Sequence, residues 1–418
     1  MFLSDREGGA RSLRTPLVRK KFWNSDMEAV FGVMLVLLVL GTVNVFSSSF
    51  VDAELRYDDA YFFLRRHLIS MTVGIVAFFL GARLDYHRWR SWMPWVLTLT
   101  FLALAAVFVV GPEVNGARRW LPLPVMQVQP AEGAKVVAIM LAAAAMAAQA
   151  RHKARVSPLN LQYACIVLMA VLVEKEPDMG TACVIAGVPI ILYLVAARLS
   201  LRNVLILAGV LAVGVTFFVM AQPYRLERVR VLWDPWQDAQ NIGYQTVQSL
   251  STIGSGEFLG MGLGVGVSKY DYLPEAHTDF AFAIFCQENG YLGALFVVIL
   301  YTALAVYGVR IAQKASDLYG QLLAFGIVVL IVGQAAVNML MVGGVFPVVG
   351  VPLPFISYGG TSLIVTMFSV GILVSIGRIG EVARRDRERA REKQQAEAEK
   401  PRRSLRLVRG QGARGTRD

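Results

Sequence analysis

Ten strongly apolar runs divide this chain, and they constrain its fold more than any other feature. Most approach the ~20 residues that a helix needs to cross the ~30 Å hydrocarbon core of a bilayer, and the fifth is short for a span. The runs lie at 29–46, 68–84, 92–110, 134–148, 161–173, 179–197, 204–221, 280–307, 322–341 and 356–376. They predict an all-α membrane protein with about ten transmembrane helices.

The charge composition agrees with this prediction. Only 17% of the residues are charged, whereas soluble globular proteins carry about 25%. The net charge of +11 comes largely from basic residues near the two ends of the chain. Because these residues flank apolar runs, contact with membrane lipids and retention on the cytoplasmic side explain them better than nucleic acid does. We therefore expect no nucleic-acid partner.

The basic loops give the chain an orientation. If the N-terminus is cytoplasmic, every loop that follows an even-numbered run is basic and falls on the cytoplasmic side, as the positive-inside rule predicts. These loops follow the even-numbered runs and contain Arg83, Arg88, Arg90, Arg151, Lys153, Arg155, Arg198, Arg202, Arg310, Lys314 and the arginines from 384 onward. Both termini are then cytoplasmic. Residues 1–26 would form a basic N-terminus, 27–380 the membrane domain, and 381–418 a charged tail that is a frayed helix followed by disorder.

The loops on the outer side are longer and more polar. The stretch 223–279, between the seventh and eighth runs, far exceeds an ordinary connection of about 4–6 residues. Its aromatic and apolar content argues against disorder, so we expect a structured extracytoplasmic loop with short helices. The three cysteines lie in apolar runs and the four histidines are scattered, so no disulfide framework and no metal motif is predicted.

The first polar cluster on the outer side spans 116–135. Glu132 and Lys135 are three residues apart and share a face of the fourth predicted helix. A lysine in the first helical turn opposes the helix dipole, so Lys135 needs an anionic partner. A structural ion pair with Glu132 and a role in a reaction are both compatible with this spacing. Arg118 and Arg119 fit either lipid headgroups or a phosphate-bearing substrate.

Three further clusters follow along the chain. In 176–181, Asp178 suits a helix N-cap, and the acidic turn could help to hold a divalent cation. Asp279, at the end of the long loop, can cap the eighth helix and still react. The glycines at 254–256 are not followed by a soluble αβ unit, which argues against a nucleotide loop. The prolines and small residues of 352–362 indicate close helix packing or the lining of a cavity.

In this order, the clusters resemble the SEDS family (shape, elongation, division and sporulation) over nearly the whole chain. The resemblance rests on Gly-Ala-Arg-Arg-Trp at 116–120, Tyr-Leu-Pro-Glu-Ala-His-Thr-Asp-Phe at 272–280 and Pro-Leu-Pro-Phe-Ile-Ser-Tyr-Gly-Gly-Thr-Ser at 352–362. Asp-Pro-Trp at 234–236 and Gly-Tyr-Gln at 243–245 are more similar to the division branch, FtsW, than to the elongation branch, RodA. Glu176, Ala131 and residues 287–289 depart from the family's usual pattern.

The resemblance implies a peptidoglycan glycosyltransferase that polymerises lipid II at the outer face of the bacterial cytoplasmic membrane, at the division septum. Its implied partners are a class B penicillin-binding protein, an FtsI-like monofunctional transpeptidase, and regulators of the divisome. A RodA-type elongation polymerase, a lipid II flippase and a scaffold without chemistry stay open as alternatives. No organic cofactor is implied. A requirement for a divalent cation, Mg²⁺ or Mn²⁺, stays open, with no ligand set assigned.

The resemblance also implies roles for individual residues. Asp279 matches the family's essential aspartate and would be the general base, with Lys135 as its ion-pair neighbour or as a phosphate contact. An adjacent Lys135 would keep Asp279 ionised but would make it a weaker base. The expected substrate-binding residues are Arg118, Arg119, Trp120, Glu132, Arg225, Tyr244, Gln248, Glu275, His277, Ser357 and Tyr358.

Overall fold

The computed structural model describes residues 25–114, 116–123, 126–151, 160–196, 232–266 and 273–412, with single positions and pairs between 202 and 227. These residues are almost entirely helical. The helices are α1 (Asp26–Tyr57), α2 (Phe62–Arg83), α3 (Tyr86–Ser91), α4 (Met93–Val110), α5 (Pro130–Arg151), α6 (Leu161–Lys175), α7 (Met179–Ala196), α8 (Tyr244–Ser255), α9 (Ala281–Gln313), α10 (Leu318–Val342) and α11 (Gly360–Gly412). An antiparallel hairpin pairs β1 (Leu121–Pro122) with β2 (Gln127–Val128).

The multi-pass, all-α architecture is confirmed. Eight of the described helices are long and apolar enough to cross a membrane, namely α1, α2, α4, α5, α7, α9, α10 and α11. The helix α6 has 15 residues, which is short for a span, as the sequence indicated. The seventh predicted span, 204–221, lies mostly outside the described residues. In the described part of the long loop, α8 and a 3-10 turn at Pro235–Asp238 confirm the expected short helices.

The helix α5 forms the centre of the bundle. Nearly every side chain from 136 to 147 is buried, whereas Leu99, Leu102 and Val109 of α4 remain exposed. The neighbours of α5 include α4, α6, α7 and α10. Its run of alanines at 142–145 lets these neighbours approach closely, and close packing holds helices together where lipid removes the hydrophobic driving force.

The helix α9 contains a break that its continuous apolar run did not predict. Gly290 has φ 65 and ψ −166, so the helical hydrogen-bond ladder is interrupted there. The glycine-rich loop after α8 replaces the missing bonds. The amides of Met261 and Gly262 donate to the carbonyls of Gln287 and Glu288, at 2.9 and 3.1 Å. This loop therefore closes the broken helix and gives protein partners to backbone groups that lipid could not satisfy.

The helix α11 differs from the predicted tail. It continues as helix to Gly412, whereas the sequence predicts a frayed helix followed by disorder. The residues after 380 are rich in glutamate, arginine, lysine, glutamine and alanine, which have high helix propensity. Ion pairs one turn apart, Arg384 with Glu388 and Arg385 with Glu381, add to this preference.

Candidate active site

Four helices begin around one cavity at the end of the bundle that carries the predicted outer loops. The cavity has a volume of about 390 Å³, and residues in or just before the first turns of α5, α7, α9 and α11 line it. Each helix N-terminus brings a partial positive charge to this end of the cavity, and at α7 the carboxylate of Asp178 already accepts from a first-turn amide. The charged side chains among the described lining residues are Arg66, Arg119, Glu132, Asp178, Glu275 and Asp279.

Asp279 lies at the wall of this cavity, directly before α9. Its side chain is half-buried. Across from it, Gly350 has φ 69 and, having no side chain, faces the Asp279 carboxyl group with backbone only. An added Cβ atom would lie 3.3 Å from Oδ2 of Asp279. The backbone carbonyl of Asp279 accepts a hydrogen bond from Asn338 at 2.8 Å. A carboxyl group on a fixed backbone that faces a cavity has the placement a general base needs.

The turn before α9 packs against α2 and against the segment that precedes α11. The ring of His277 lies 4.5 Å from that of Phe63 and 5.8 Å from that of Tyr358, measured between centroids. Burial lowers the pKa of His277, and Glu275 opposes this shift. Burial raises the pKa of Tyr358, and the guanidinium of Arg66, which contacts its hydroxyl, offsets part of the rise. These contacts connect α2 to the turn that carries the candidate base.

Arg119 and Gln129 fasten the turn between α6 and α7 to the hairpin segment. Arg119 donates from Nε to the carbonyl of Glu176 at 3.1 Å. The side-chain amide of Gln129 donates to the carboxylate of Asp178 at 2.8 Å. The other carboxylate oxygen of Asp178 accepts from the amide of Thr181 at 3.1 Å. Asp178 is thus the cap of α7, which was the interpretation that the sequence favoured.

Glu176 has an unusual environment for an acidic residue. It is 1% exposed, and neither carboxyl oxygen has a hydrogen-bond partner among the described residues. Burial raises the pKa of Glu176 to about 8; Asp178 adds to the rise and Arg119 opposes it. At neutral pH the group is therefore mostly protonated, and it places little negative charge beside the cavity.

Lys135 has the anionic partner that its position in α5 demands. Its ammonium lies 2.8 Å from the carboxylate of Glu132, and both side chains are buried. The structure therefore confirms the ion pair within the helix. Glu132 lines the cavity, and Lys135 is not among the described residues that do. A contact of Lys135 with Asp279 or with a phosphate stays a prediction.

The structure brings only some of the predicted substrate-binding residues to the cavity. Those that line it are Arg119, Trp120, Glu132, Glu275 and Tyr358. His277 lies beside them in the aromatic contacts of the adjoining turn. Arg118 points elsewhere, with Nη2 3.6 Å from the carboxylate of Glu113. Adjacent residues in an irregular segment face different directions, and sequence spacing did not distinguish these two arginines.

Three other predicted substrate residues are placed differently, and the position of a fourth is not described. Ser357 is buried, and its hydroxyl accepts from the amide of Leu353 at 2.9 Å, so it holds the loop that precedes α11. Tyr244 lines a second cavity of about 440 Å³. Gln248, one turn further along α8, lines neither cavity. Arg225 lies outside the described residues.

The carboxyl groups at the cavity do not form a ready metal site. Within the described residues, no group of three or more His, Cys, Asp or Glu side chains could hold a metal ion. Glu132 is engaged in its ion pair, Asp178 caps α7, and Glu275 accepts from the hydroxyl of Thr278 at 2.6 Å. Mg²⁺ and Mn²⁺ require several free oxygen ligands. The requirement for a divalent cation stays a prediction.

Arg66 is a cavity residue that none of the sequence clusters contains. It lies on α2, with its guanidinium carbon 4.5 Å from the centroid of the Phe62 ring. The preceding residue, Arg65, forms an ion pair with Asp59. The signal was present in the sequence, because two consecutive arginines at the predicted outer end of a span run against the positive-inside rule. A charge in such a place calls for a partner or a ligand.

The fold and the cavity define a multi-pass helical membrane protein with a polar site at one end of the bundle. Residues 27–381 match the family model of FtsW, RodA and SpoVE, described as cell cycle protein. The chain is 38% identical over 366 residues to a probable peptidoglycan glycosyltransferase FtsW of Trichlorobacter lovleyi, covering 86% of this chain and 95% of the relative. It is 35% identical over 354 residues to stage V sporulation protein E of Bacillus subtilis, covering 83% and 95%.

Solved structures agree with these relatives. One chain of a peptidoglycan synthase complex, studied for the coordination of polymerization and crosslinking, matches with a TM-score of 0.67 and 27% identity, over 84% of this chain and 97% of that chain. The rod shape determining protein RodA of Thermus thermophilus matches with a TM-score of 0.60 and 25% identity, over 85% and 98%. This chain belongs to the FtsW/RodA/SpoVE family.

Proposed function

We propose that this chain is a peptidoglycan glycosyltransferase that polymerises lipid II into glycan strands at the outer face of the bacterial cytoplasmic membrane. One observation carries the proposal: the carboxyl group of Asp279 borders a cavity on which four helix N-termini converge. The reaction needs a base for a sugar hydroxyl and positive potential for a pyrophosphate. The FtsW relatives, which are named as probable peptidoglycan glycosyltransferases, support this function.

In the proposed reaction, Asp279 accepts the proton of the attacking sugar hydroxyl. A hydroxyl oxygen of one lipid-linked sugar forms a bond to the anomeric carbon of the next, and the bond from that carbon to the pyrophosphate oxygen breaks. The hydroxyl proton passes to the Asp279 carboxylate, and the bonding electrons leave with undecaprenyl pyrophosphate. General base catalysis of this kind contributes about 10²–10⁴-fold to the rate. Gly350 presents only backbone to the carboxyl group, which leaves the approach to it uncrowded.

The pyrophosphate needs compensation for the charge that develops as it leaves. Arg119 is held in place by its bonds to the α6–α7 turn and lines the cavity, and Arg66 lines it from α2. The first turn of α11 contributes backbone amides and contains no acidic residue. Lys135 would add positive charge from its position next to Glu132. Fixed groups of this kind stabilise a transition state without having to reorganise.

The proposal includes a partner and a location for this chain. A class B penicillin-binding protein would supply the crosslinking activity, and the likeness to a peptidoglycan synthase complex supports such a partner. The FtsW names of several relatives support a role in septal synthesis during division. Cytoplasmic termini, which the basic loops favour, and divisome regulators as further partners belong to the same proposal. RodA-type elongation is the alternative, since RodA shares the fold.

The test is polymerisation of labelled lipid II by the purified protein in detergent with its cognate transpeptidase. Wild type, Asp279→Asn and the control Glu54→Gln, whose side chain is exposed on α1, are compared on a gel. We expect glycan ladders from wild type and Glu54→Gln and none from folded Asp279→Asn. A full ladder from Asp279→Asn would remove it as the base. No ladder from a folded wild-type complex would favour a flippase, which moves labelled lipid II across vesicles, or a scaffold.

A further inference from the structure

Asn338 makes two hydrogen bonds that no motif in the sequence indicates. It lies in α10 and is 0% exposed. Its side-chain nitrogen donates to the backbone carbonyl of Asp279 at 2.8 Å and to that of Val351 at 2.8 Å. An amide nitrogen carries two protons, so both are used on carbonyls that belong to two separate segments.

These two segments form opposite parts of the cavity wall. Asp279 belongs to the turn before α9, and Val351 lies between Gly350 and Pro352 in the loop before α11. The two approach each other closely, since a Cβ atom on Gly350 would be 3.3 Å from the Asp279 carboxyl oxygen Oδ2. A single buried side chain therefore joins the backbone that carries the carboxyl group to the loop that faces it.

We infer that Asn338 is a positioning residue for Asp279: it sets the separation between the Asp279 carboxyl group and the 350–352 loop, and so the space in which the acceptor hydroxyl must sit. The inference rests on the proposed function. Asn338 touches no reacting atom, so its loss should change the turnover of bound substrate more than the binding of lipid II. Misplacing a catalytic group by about 1 Å can lower a rate by about 100-fold.

The chain offers a matched control in Asn44 of α1. Asn44 is 2% exposed, and its side-chain nitrogen donates to the backbone carbonyl of Ala281 at 3.1 Å, two residues after Asp279. It makes the same kind of buried contact to the same stretch of chain. The residues that line the cavity do not include Asn44, and its bond does not reach the 350–352 loop. Both asparagines support the fold, and only Asn338 spans the cavity wall.

The experiment compares Asn338→Asp with Asn44→Asp. An aspartate has nearly the same shape, and in this buried place beside two carbonyls it stays protonated and keeps one donor, so one of the two bonds is lost. In the folded complex with the transpeptidase, kcat and KM for labelled lipid II are measured together with thermal unfolding. We expect Asn338→Asp to lower kcat per folded molecule by about tenfold or more with KM within about twofold, because positioning affects the rate of the bound complex. Asn44→Asp should keep kcat per folded molecule within about twofold.

A second variant changes the separation between the Asp279 carboxyl group and the 350–352 loop by a substitution in the loop itself. Gly350→Ala places a methyl group 3.3 Å from the Asp279 carboxyl oxygen without replacing Asn338, and at a φ of 69 the alanine also strains the loop. Measured per folded molecule, it should lower kcat more than KM. This variant decides the question if Asn338→Asp does not fold. Wild-type kcat in Gly350→Ala, or equal losses per folded molecule in Asn338→Asp and Asn44→Asp, would overturn the inference. Absence of polymer from wild type and Asn44→Asp alike would instead count against the proposed function.

Discussion

The ammonium of Lys135 lies 2.8 Å from the carboxylate of Glu132, inside a helix that the rest of the bundle surrounds. The two residues are only 2% and 4% exposed. Removing two charges from water is costly, and their mutual attraction repays the cost only while both are present. The stability of the protein around α5 therefore depends on keeping both charges. One of them, the Glu132 carboxylate, also lines the cavity.

Removing one member of this pair should be severe. Lys135→Met leaves the Glu132 carboxylate buried without its counter-ion, and we expect a loss of about 3–5 kcal/mol in the free energy of unfolding. The double variant Glu132→Gln/Lys135→Met removes both charges and should recover most of that loss. Thermal unfolding of the purified protein in detergent measures both effects.

The same double variant separates a structural role of Lys135 from a catalytic one. If the ammonium stabilises charge on the substrate, the double variant should be stable and still polymerise poorly. Recovery of polymerisation together with stability would mean that Lys135 acts only by neutralising Glu132. The ladder assay on labelled lipid II gives this answer with the protein samples used for unfolding.

The two adjacent arginines at the start of α2 should differ in their effect on KM for lipid II. Arg66 lines the cavity, whereas Arg65 pairs with Asp59. A charge-assisted contact with the pyrophosphate is worth enough to raise KM for lipid II by about tenfold in Arg66→Ala. Arg65→Ala should leave KM within about twofold, because exposed ion pairs contribute little. Equal effects of the two substitutions on KM would argue against a phosphate contact at Arg66.

The sequence predicted most of the fold because the bilayer requires apolar length, which is a local property of the chain. The pairing of Glu132 with Lys135 was one of the two interpretations that the sequence allowed, since residues three apart on a helix are neighbours. The sequence missed the break at Gly290, because the surrounding run is apolar throughout and the loop that replaces the lost hydrogen bonds comes from about thirty residues earlier.

The sequence predicted only part of the site, because local motifs identify residues but do not show which distant segments they contact. The placement of Asp279 at the cavity agrees with the role that its motif implies, and that role stays a prediction. The helix N-termini that converge on the cavity follow from alternating helices that begin at the same end of the bundle. Asn338 was missed because a single polar residue in an apolar helix does not indicate its partners, which lie 59 and 13 residues away. Arg118 was expected at the cavity because direction within an irregular segment cannot be read from spacing.

Glu176 should make stability depend on pH. Burial raises its pKa to about 8, so the folded protein holds a proton that the unfolded chain releases above the ordinary value of 4.5. The unfolded state then binds fewer protons, and stability falls as the pH rises from about 4.5 to about 8. Glu176→Gln is neutral at every pH and should remove this part of the slope. Unfolding temperatures of wild type and variant should diverge as the pH rises through this range; parallel curves would contradict the assignment.

Alanine substitutions at Gly290 and Gly187, compared by the free energy of unfolding, test whether the packing of α9 requires its break. At Gly290, an added Cβ atom would lie 2.3 Å from the amide nitrogen of Gly260, and the φ of 65 with ψ −166 is accessible almost only to glycine. Gly290→Ala should therefore cost about 3 kcal/mol or more in the free energy of unfolding, since strain and collision add. At Gly187, inside α7, nothing lies within 4 Å of the added atom.

Gly187→Ala should consequently be neutral or stabilise by up to about 1 kcal/mol, because alanine loses less backbone entropy in a helix. Thermal unfolding in detergent measures both variants. The glycine-rich loop holds the first part of α9, which follows Asp279 directly, so Gly290→Ala should also lower polymerisation while Gly187→Ala does not. A Gly290→Ala protein with wild-type stability would mean that α9 can run straight past this position, and that the loop after α8 is not needed to keep Asp279 at the cavity.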